Sequence, residues 1–106
     1  MADIREAVRR IVDLAHPEAI YLFGSRARGA DVDGSDWDLF VVMGDDFEPG
    51  KITPAAMRRS VAGMGMAIDI VSCRRSVFEE KKRNVNSVSR DVAEEGVLLY
   101  ERQRSV

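Results

Sequence analysis

Three carboxylates and one glycine–serine turn carry the chemistry written in this chain. Gly24-Ser25 follows the apolar run Ala19-Ile20-Tyr21-Leu22-Phe23 and leads into Arg26-Ala27-Arg28, which reads as one or two helical turns. A turn that leaves a buried strand and enters a helix presents free backbone N–H groups, and these attract phosphate together with the helix dipole. Gly24 lets a phosphate approach the backbone closely, Ser25 adds a hydroxyl donor, and Arg26 and Arg28 supply charge-assisted contacts to phosphate oxygens. Beyond them come Asp36 and Asp38, flanking Trp37 at the start of the apolar run Leu39-Phe40-Val41-Val42. Positions i and i+2 of a strand share a face, so the two carboxylates project together. Side by side they repel unless a cation joins them, and hard oxygen ligands suit Mg2+ or Mn2+.

A third carboxylate, Asp69, interrupts the apolar segment Ala67-Ile68-Asp69-Ile70-Val71. A carboxylate buried in mid-strand without a partner is costly. If its strand neighbours the Asp36–Asp38 strand, the three carboxylates meet and hold two metal ions about 4 Å apart, the arrangement used for in-line displacement at phosphorus. Each piece alone has an ordinary structural reading: a helix start, a solvated strand edge, a salt-bridged strand residue. Their conjunction is what points to a metal-bound nucleoside triphosphate.

The elements that must position these residues follow from periodicity and breakers. Residues 3–15 read as an amphipathic helix with Asp3 as N-cap, stopped near His16 by Pro17. Residues 19–23 and 37–42 read as buried strands, and residues 44–53 as loop. Thr53 caps a helix from Pro54 to about Ala62, ended by Gly63 and Gly65. A third strand is expected over 66–72, helices over 75–83 and 87–95 with Gly96 just past the second, and a closing strand over 97–100. This order implies an α/β (α+β) fold, a small mixed β-sheet flanked by helices, in one domain spanning 1–106.

Other motifs carry less. Asp31-Val32-Asp33-Gly34-Ser35-Asp36 resembles the start of a calcium loop, but Gly34 is not at the sixth position and no glutamate stands at the twelfth. The run Glu79 to Arg83 reads as an exposed helix face, Trp37 and the methionines as core, Cys73 as an inert buried thiol and His16 as a helix-end residue. With one His and one Cys there is no zinc ligand set and no disulfide framework. Of 106 residues 45% are hydrophobic and 32% charged, and the net charge of −2 gives no global basic field for nucleic acid. No apolar run approaches the ~20 residues of a membrane span, and the N-terminus is not a signal peptide, so a cytoplasmic protein is expected.

At Gly24-Ser25-Arg26-Ala27-Arg28-Gly29 and Ser35-Asp36-Trp37-Asp38-Leu39 the chain resembles the DNA polymerase beta-like nucleotidyltransferase superfamily, and most closely its minimal nucleotidyltransferases. The resemblance extends to Ala67–Val71 and, as support only, to the segment Ala93–Glu101; residues 44–65 are least characteristic. It implies a nucleotidyltransferase fold in which Asp36 and Asp38 ligate Mg2+ and Asp69 completes the set and helps activate the attacking hydroxyl. Gly24, Ser25 and Arg26 would hold the triphosphate, and AMP from ATP would be transferred with pyrophosphate leaving. Larger members carry a further domain for the acceptor, so here another molecule is expected to bring it. Minimal members pair with HEPN-domain proteins in toxin–antitoxin modules, which makes a tyrosine hydroxyl of a HEPN partner the expected acceptor. Two other readings stand beside it: a non-catalytic nucleotide-binding antitoxin that neutralises its partner by occlusion, and a small-molecule nucleotidyltransferase of the antibiotic-modifying kind.

Overall fold

The computed structural model describes residues 4–24, 36–46, 52–84 and 86–102, and these form four strands and four helices. In chain order they are α1 (Ile4–Ala15), β1 (Ala19–Phe23), β2 (Trp37–Met43), α2 (Pro54–Ser60), β3 (Ile68–Arg74), α3 (Arg75–Lys81), α4 (Val88–Glu95) and β4 (Val97–Glu101). The sheet order is β3-β2-β1-β4. β1 runs antiparallel to both β2 and β4, whereas β2 and β3 are parallel and connected through α2. The mixed sheet with helices on both faces is the fold expected from the sequence.

Alternation along each strand divides the core in two. Ile20 and Leu22 of β1, Leu39, Val41 and Met43 of β2 and Ile70 of β3 pack with Ala7, Val8 and Ile11 of α1 and Met57 of α2. The opposite face gathers Ala19, Phe40 and Val42 against Phe78 of α3 and Val92 of α4. The Phe40 and Phe78 rings lie 5.4 Å apart, and Phe23 meets Phe40 edge-on at 6.1 Å. Trp37 packs on the α1–α2 side, as its alternation with two aspartates requires.

Local chemistry sets most boundaries. The Thr53 hydroxyl accepts from Ala56 N–H at 3.1 Å, and Pro54 opens α2. His16 ends α1 at φ 48, donating its N–H to Val12 O. The Ser87 hydroxyl caps α4 through Arg90 N–H. Gly96 is extended rather than left-handed and closes α4 through Val92 O. The third strand departs most from expectation: it runs from Ile68 to Arg74, two residues later than the apolar run suggests. Met66 and Ala67 precede it, and it continues through Ser72, Cys73 and Arg74 because these pair with Val41, Val42 and Met43. Asp3, and the helical turn expected over 25–30, lie outside the described residues.

At the end of the sheet remote from the carboxylates, Glu18 ties three elements together. Its carboxylate accepts from Arg75 Nε at 2.9 Å and lies 3.5 Å from Arg102, and its backbone bonds Val42 and Arg102. Beside it, Asp45 accepts the Ser76 N–H in the first turn of α3. Among the described residues no helix is long and apolar enough to cross a membrane.

Candidate active site

The end of β1 and the starts of β2 and β3 meet at one end of the sheet. Phe23 pairs with Asp38 across β1 and β2, and Asp38 pairs with Asp69 across β2 and β3. Neighbouring strands are about 4.8 Å apart, so Asp38 and Asp69 stand side by side on one face. That face is the one carrying Phe40 and Val42, and Asp36, immediately before β2, is near enough for its charge to act on Asp38. Trp37 N–H donates to Ala67 O at 2.8 Å, which extends the β2–β3 ladder back to the carboxylates and fixes their register.

The turn after β1 lies directly against this row. Gly24 has φ +79, a region that favours glycine. A Cβ built there would run into Oδ2 of Asp38 and come within 3.2 Å of its Cγ. Glycine is therefore needed twice, for the left-handed backbone and for the carboxylate that occupies the place of a side chain. The sequence suggested close approach of a phosphate as the reason for Gly24; contact with Asp38 is a further reason that only the fold displays. Ser25, Arg26 and Arg28 lie outside the described residues.

Electrostatics report the same proximity. Burial, then the charges of Asp69 and Asp36, push the Asp38 carboxyl above its ordinary range. Asp38 is half-buried, while Asp36 and Asp69 are exposed. Asp69 thus differs from the expectation of a buried mid-strand carboxylate: it is the second residue of β3, an edge strand, and water reaches it. Among the described residues no three His, Cys, Asp or Glu side chains converge tightly enough to form a ready-made metal cage. The donor set nevertheless fits a divalent cation in kind. Its ligands are hard carboxylate oxygens, adjacent across one ladder, and their mutual repulsion is the field a cation relieves.

The position in the fold has a topological reason. In open parallel sheets ligands gather at the carboxyl ends of strands. Here the carboxylates open the parallel strands β2 and β3, and among the described residues the strand that ends beside them is the antiparallel β1, which delivers the Gly24 turn.

Sequence reasoning missed a cavity on the same face. It has a volume of about 430 Å3 and lies beyond the carboxylates, floored by Phe40 and Val71 and walled by Val77, Asn84, Ser87 and Val88. No sequence motif marked it: Val71 stands in an apolar run and Val88 at a helix start, and the structure leaves them 42% and 47% exposed. Cys73, which also lines it, is half-buried, and burial pushes its thiol up, in keeping with an unreactive group.

Comparisons with known proteins place this geometry. No curated protein sequence matches the chain. Among solved structures it is similar to a protein described as a candidate nucleotidyltransferase from Sulfolobus solfataricus. That match has a TM-score of 0.57 and 23% identity, over 93% of this chain and 78% of that one. It is also similar to a structure described as a toxin–antitoxin with AMP-PNP. There the TM-score is 0.62 and the identity 20%, over 93% of this chain and 74% of that one. At such identities the likeness speaks for the fold. The family model "Polymerase beta, Nucleotidyltransferase" matches residues 6–105, and with that span, which contains the Gly24 turn and all three carboxylates, the chain belongs to the polymerase beta nucleotidyltransferase family.

Proposed function

We propose that this protein transfers a nucleoside monophosphate, AMP from Mg-ATP, onto a hydroxyl of a partner protein, and that it does so as the antitoxin of a HEPN-type toxin. The observation that carries the reading is the contact of Gly24 with Asp38, with Asp69 in register beside it. In this reading the contact joins a turn suited to phosphate and a carboxylate pair in one site. Family membership supports nucleotidyl transfer in general, and the fold shared with a toxin–antitoxin structure containing AMP-PNP supports a nucleotide and a protein partner.

In this reading the Gly24-Ser25 turn, Arg26 and Arg28 hold the β- and γ-phosphates, which leave as pyrophosphate. Asp36, Asp38 and Asp69 would hold one or two Mg2+ ions, Mn2+ being an alternative. When bound, the cations supply charge neutralisation and orientation of the phosphate oxygens. Asp69 accepts the proton of the acceptor hydroxyl. The acceptor oxygen forms its bond to the α-phosphorus as the bond from that phosphorus to the pyrophosphate oxygen breaks.

The test is labelling of a co-expressed HEPN-type partner with α-labelled ATP. Wild-type protein should label it in a metal-dependent way, and the Asp36→Asn, Asp38→Asn double variant should not. Equal labelling by the double variant would sink the carboxylate mechanism. Neutralisation of the partner without labelling by either form would favour an antitoxin that acts by occlusion.

A further inference from the structure

The sheet order puts the parts of the site in a line. Gly24 follows β1, Asp38 lies on the central strand β2, and Asp69 lies on the edge strand β3. The phosphate turn and Asp69 are therefore on opposite sides of Asp38. Displacement at phosphorus is in line, so the entering hydroxyl approaches from the side opposite the leaving pyrophosphate. With the leaving group toward β1, the acceptor comes from the β3 side.

On that side the same face continues into the 430 Å3 cavity. Its floor is the next rung beyond the carboxylates: Phe40 stands two residues past Asp38, and Val71 two past Asp69, a step of about 6.7 Å along each strand. That is close to the reach of a phenol side chain. Val71 and Val88 face solvent over the apolar part of the lining, which they form with Val77 and with Phe40, itself only 2% exposed; Ser72, Cys73 and Lys81 line the rest of that wall. The rim offers the side-chain amides of Asn84 and Asn86 and the ammonium of Lys81, groups able to bond the backbone of a protein segment; the Ser87 hydroxyl is engaged by Lys81 O and Arg90 N–H, and Ser89 is buried. The rim is braced: Asn84 N–H donates to Lys81 O at 2.9 Å, and Ser87 N–H donates to Asn84 O at 3.1 Å. Its size falls in the range of ligand-binding cavities and exceeds what one small aliphatic side chain fills.

We propose that this cavity is the acceptor subsite, taking a hydroxyl-bearing side chain of the partner protein, its apolar part on Phe40, Val71 and Val88 and its hydroxyl at Asp69. The assignment rests on the nucleotidyl-transfer reading above. It adds the place where the acceptor sits and the residues that select an apolar-bodied hydroxyl.

The experiment is an amide-shift titration of the full 15N-labelled chain, first with Mg2+ and a non-hydrolysable ATP analogue, then with N-acetyl-tyrosinamide. The nucleotide should move the amides of Gly24 and Asp38 and leave Val71, Val88 and Ser89 in place. N-acetyl-tyrosinamide should then move these three saturably, and N-acetyl-serinamide should bind at least tenfold more weakly. Val71→Arg and Val88→Lys, both at solvent-facing positions, should each weaken the tyrosinamide at least tenfold without changing nucleotide affinity. If the nucleotide alone moves Val71 and Val88, and differently for ATP and GTP analogues, the cavity belongs to the donor's base and the proposal is wrong. It is equally wrong if N-acetyl-tyrosinamide leaves the cavity amides unmoved, or moves them alike in both variants. Failure of the nucleotide to move Gly24 and Asp38 would instead overturn the nucleotidyl-transfer reading, and the subsite with it.

Discussion

Replacing Gly24 with alanine separates the two demands made on that residue. The backbone demand is common to Gly24 and Gly63, which sit at φ +79 and +82. Forcing an L side chain into the left-handed region costs about 1–2 kcal/mol at either position. The steric demand belongs to Gly24 alone: a Cβ there overlaps Asp38 Oδ2, whereas a Cβ at Gly63 meets nothing within 4 Å. Gly63→Ala is therefore an internal control. Both variants should melt lower, by about 4–8 °C per kcal/mol for a chain of this size. Only Gly24→Ala should also displace the Asp38 carboxylate, by a distance on the order of 1 Å, and misplacement on that scale costs transfer rates about 100-fold. Thermal melts combined with Mg-ATP calorimetry and α-labelled ATP transfer read both effects. Gly63→Ala should retain wild-type nucleotide affinity, and Gly24→Ala should lose at least tenfold. If Gly24→Ala binds and transfers like Gly63→Ala, the contact with Asp38 has no part in the site.

Asp38→Asn should stabilise the fold while abolishing transfer. Burial first, then Asp69 and Asp36, hold the Asp38 carboxyl above its ordinary range, so its charge opposes folding once the pH passes that raised value. Like charges on adjacent strands cost about 0.2–1 kcal/mol, so melts at pH 7 should rise by a few degrees and the gain should vanish below pH ~3.9. An unchanged or lowered melting temperature at pH 7 counts against the carboxylate cluster. Asp45 shows the opposite sign: the Ser76 N–H it accepts holds its carboxyl below the usual range. The stability it lends is present above the unfolded carboxylate value and is lost as pH falls through the depressed one, so wild type and Asp45→Ala should differ at pH 7 and converge in strong acid. Phe78→Ala removes the ring that packs on Tyr21 and Phe40 and should cost about 3–5 kcal/mol in urea unfolding. A loss below 1 kcal/mol would mean that α3 is not part of the core.

Much of the fold could be read directly because local rules and tertiary demands agree. Thr53-Pro54 starts a helix in either context, and Ala19–Phe23 and Trp37–Val42 are apolar runs that only a covered sheet can satisfy. β3 could not be bounded this way, because Ser72, Cys73 and Arg74 look polar and become strand only by pairing with β2. The candidate site divides similarly. Residue types and the i, i+2 spacing put Asp36 and Asp38 on one face without further help. Nothing local determined that Asp69 would fall in register with Asp38, since a slip of one residue would turn it to the α1–α2 face.

The sequence by itself determined the ingredients: a glycine–serine turn after a buried strand, two carboxylates at strand spacing and a third in a later strand. These are set by composition and short-range geometry, which the chain carries with it. The tertiary structure alone decided their arrangement. Antiparallel pairing of β1 with β2 pressed Gly24 onto Asp38, and parallel pairing of β2 with β3 set Asp69 beside it. The same edge position left Val71 uncovered above the cavity. The reason is physical. Side-chain direction repeats every two residues along a strand, but which strands become neighbours, and in which register, is settled by burying both faces of the sheet at once.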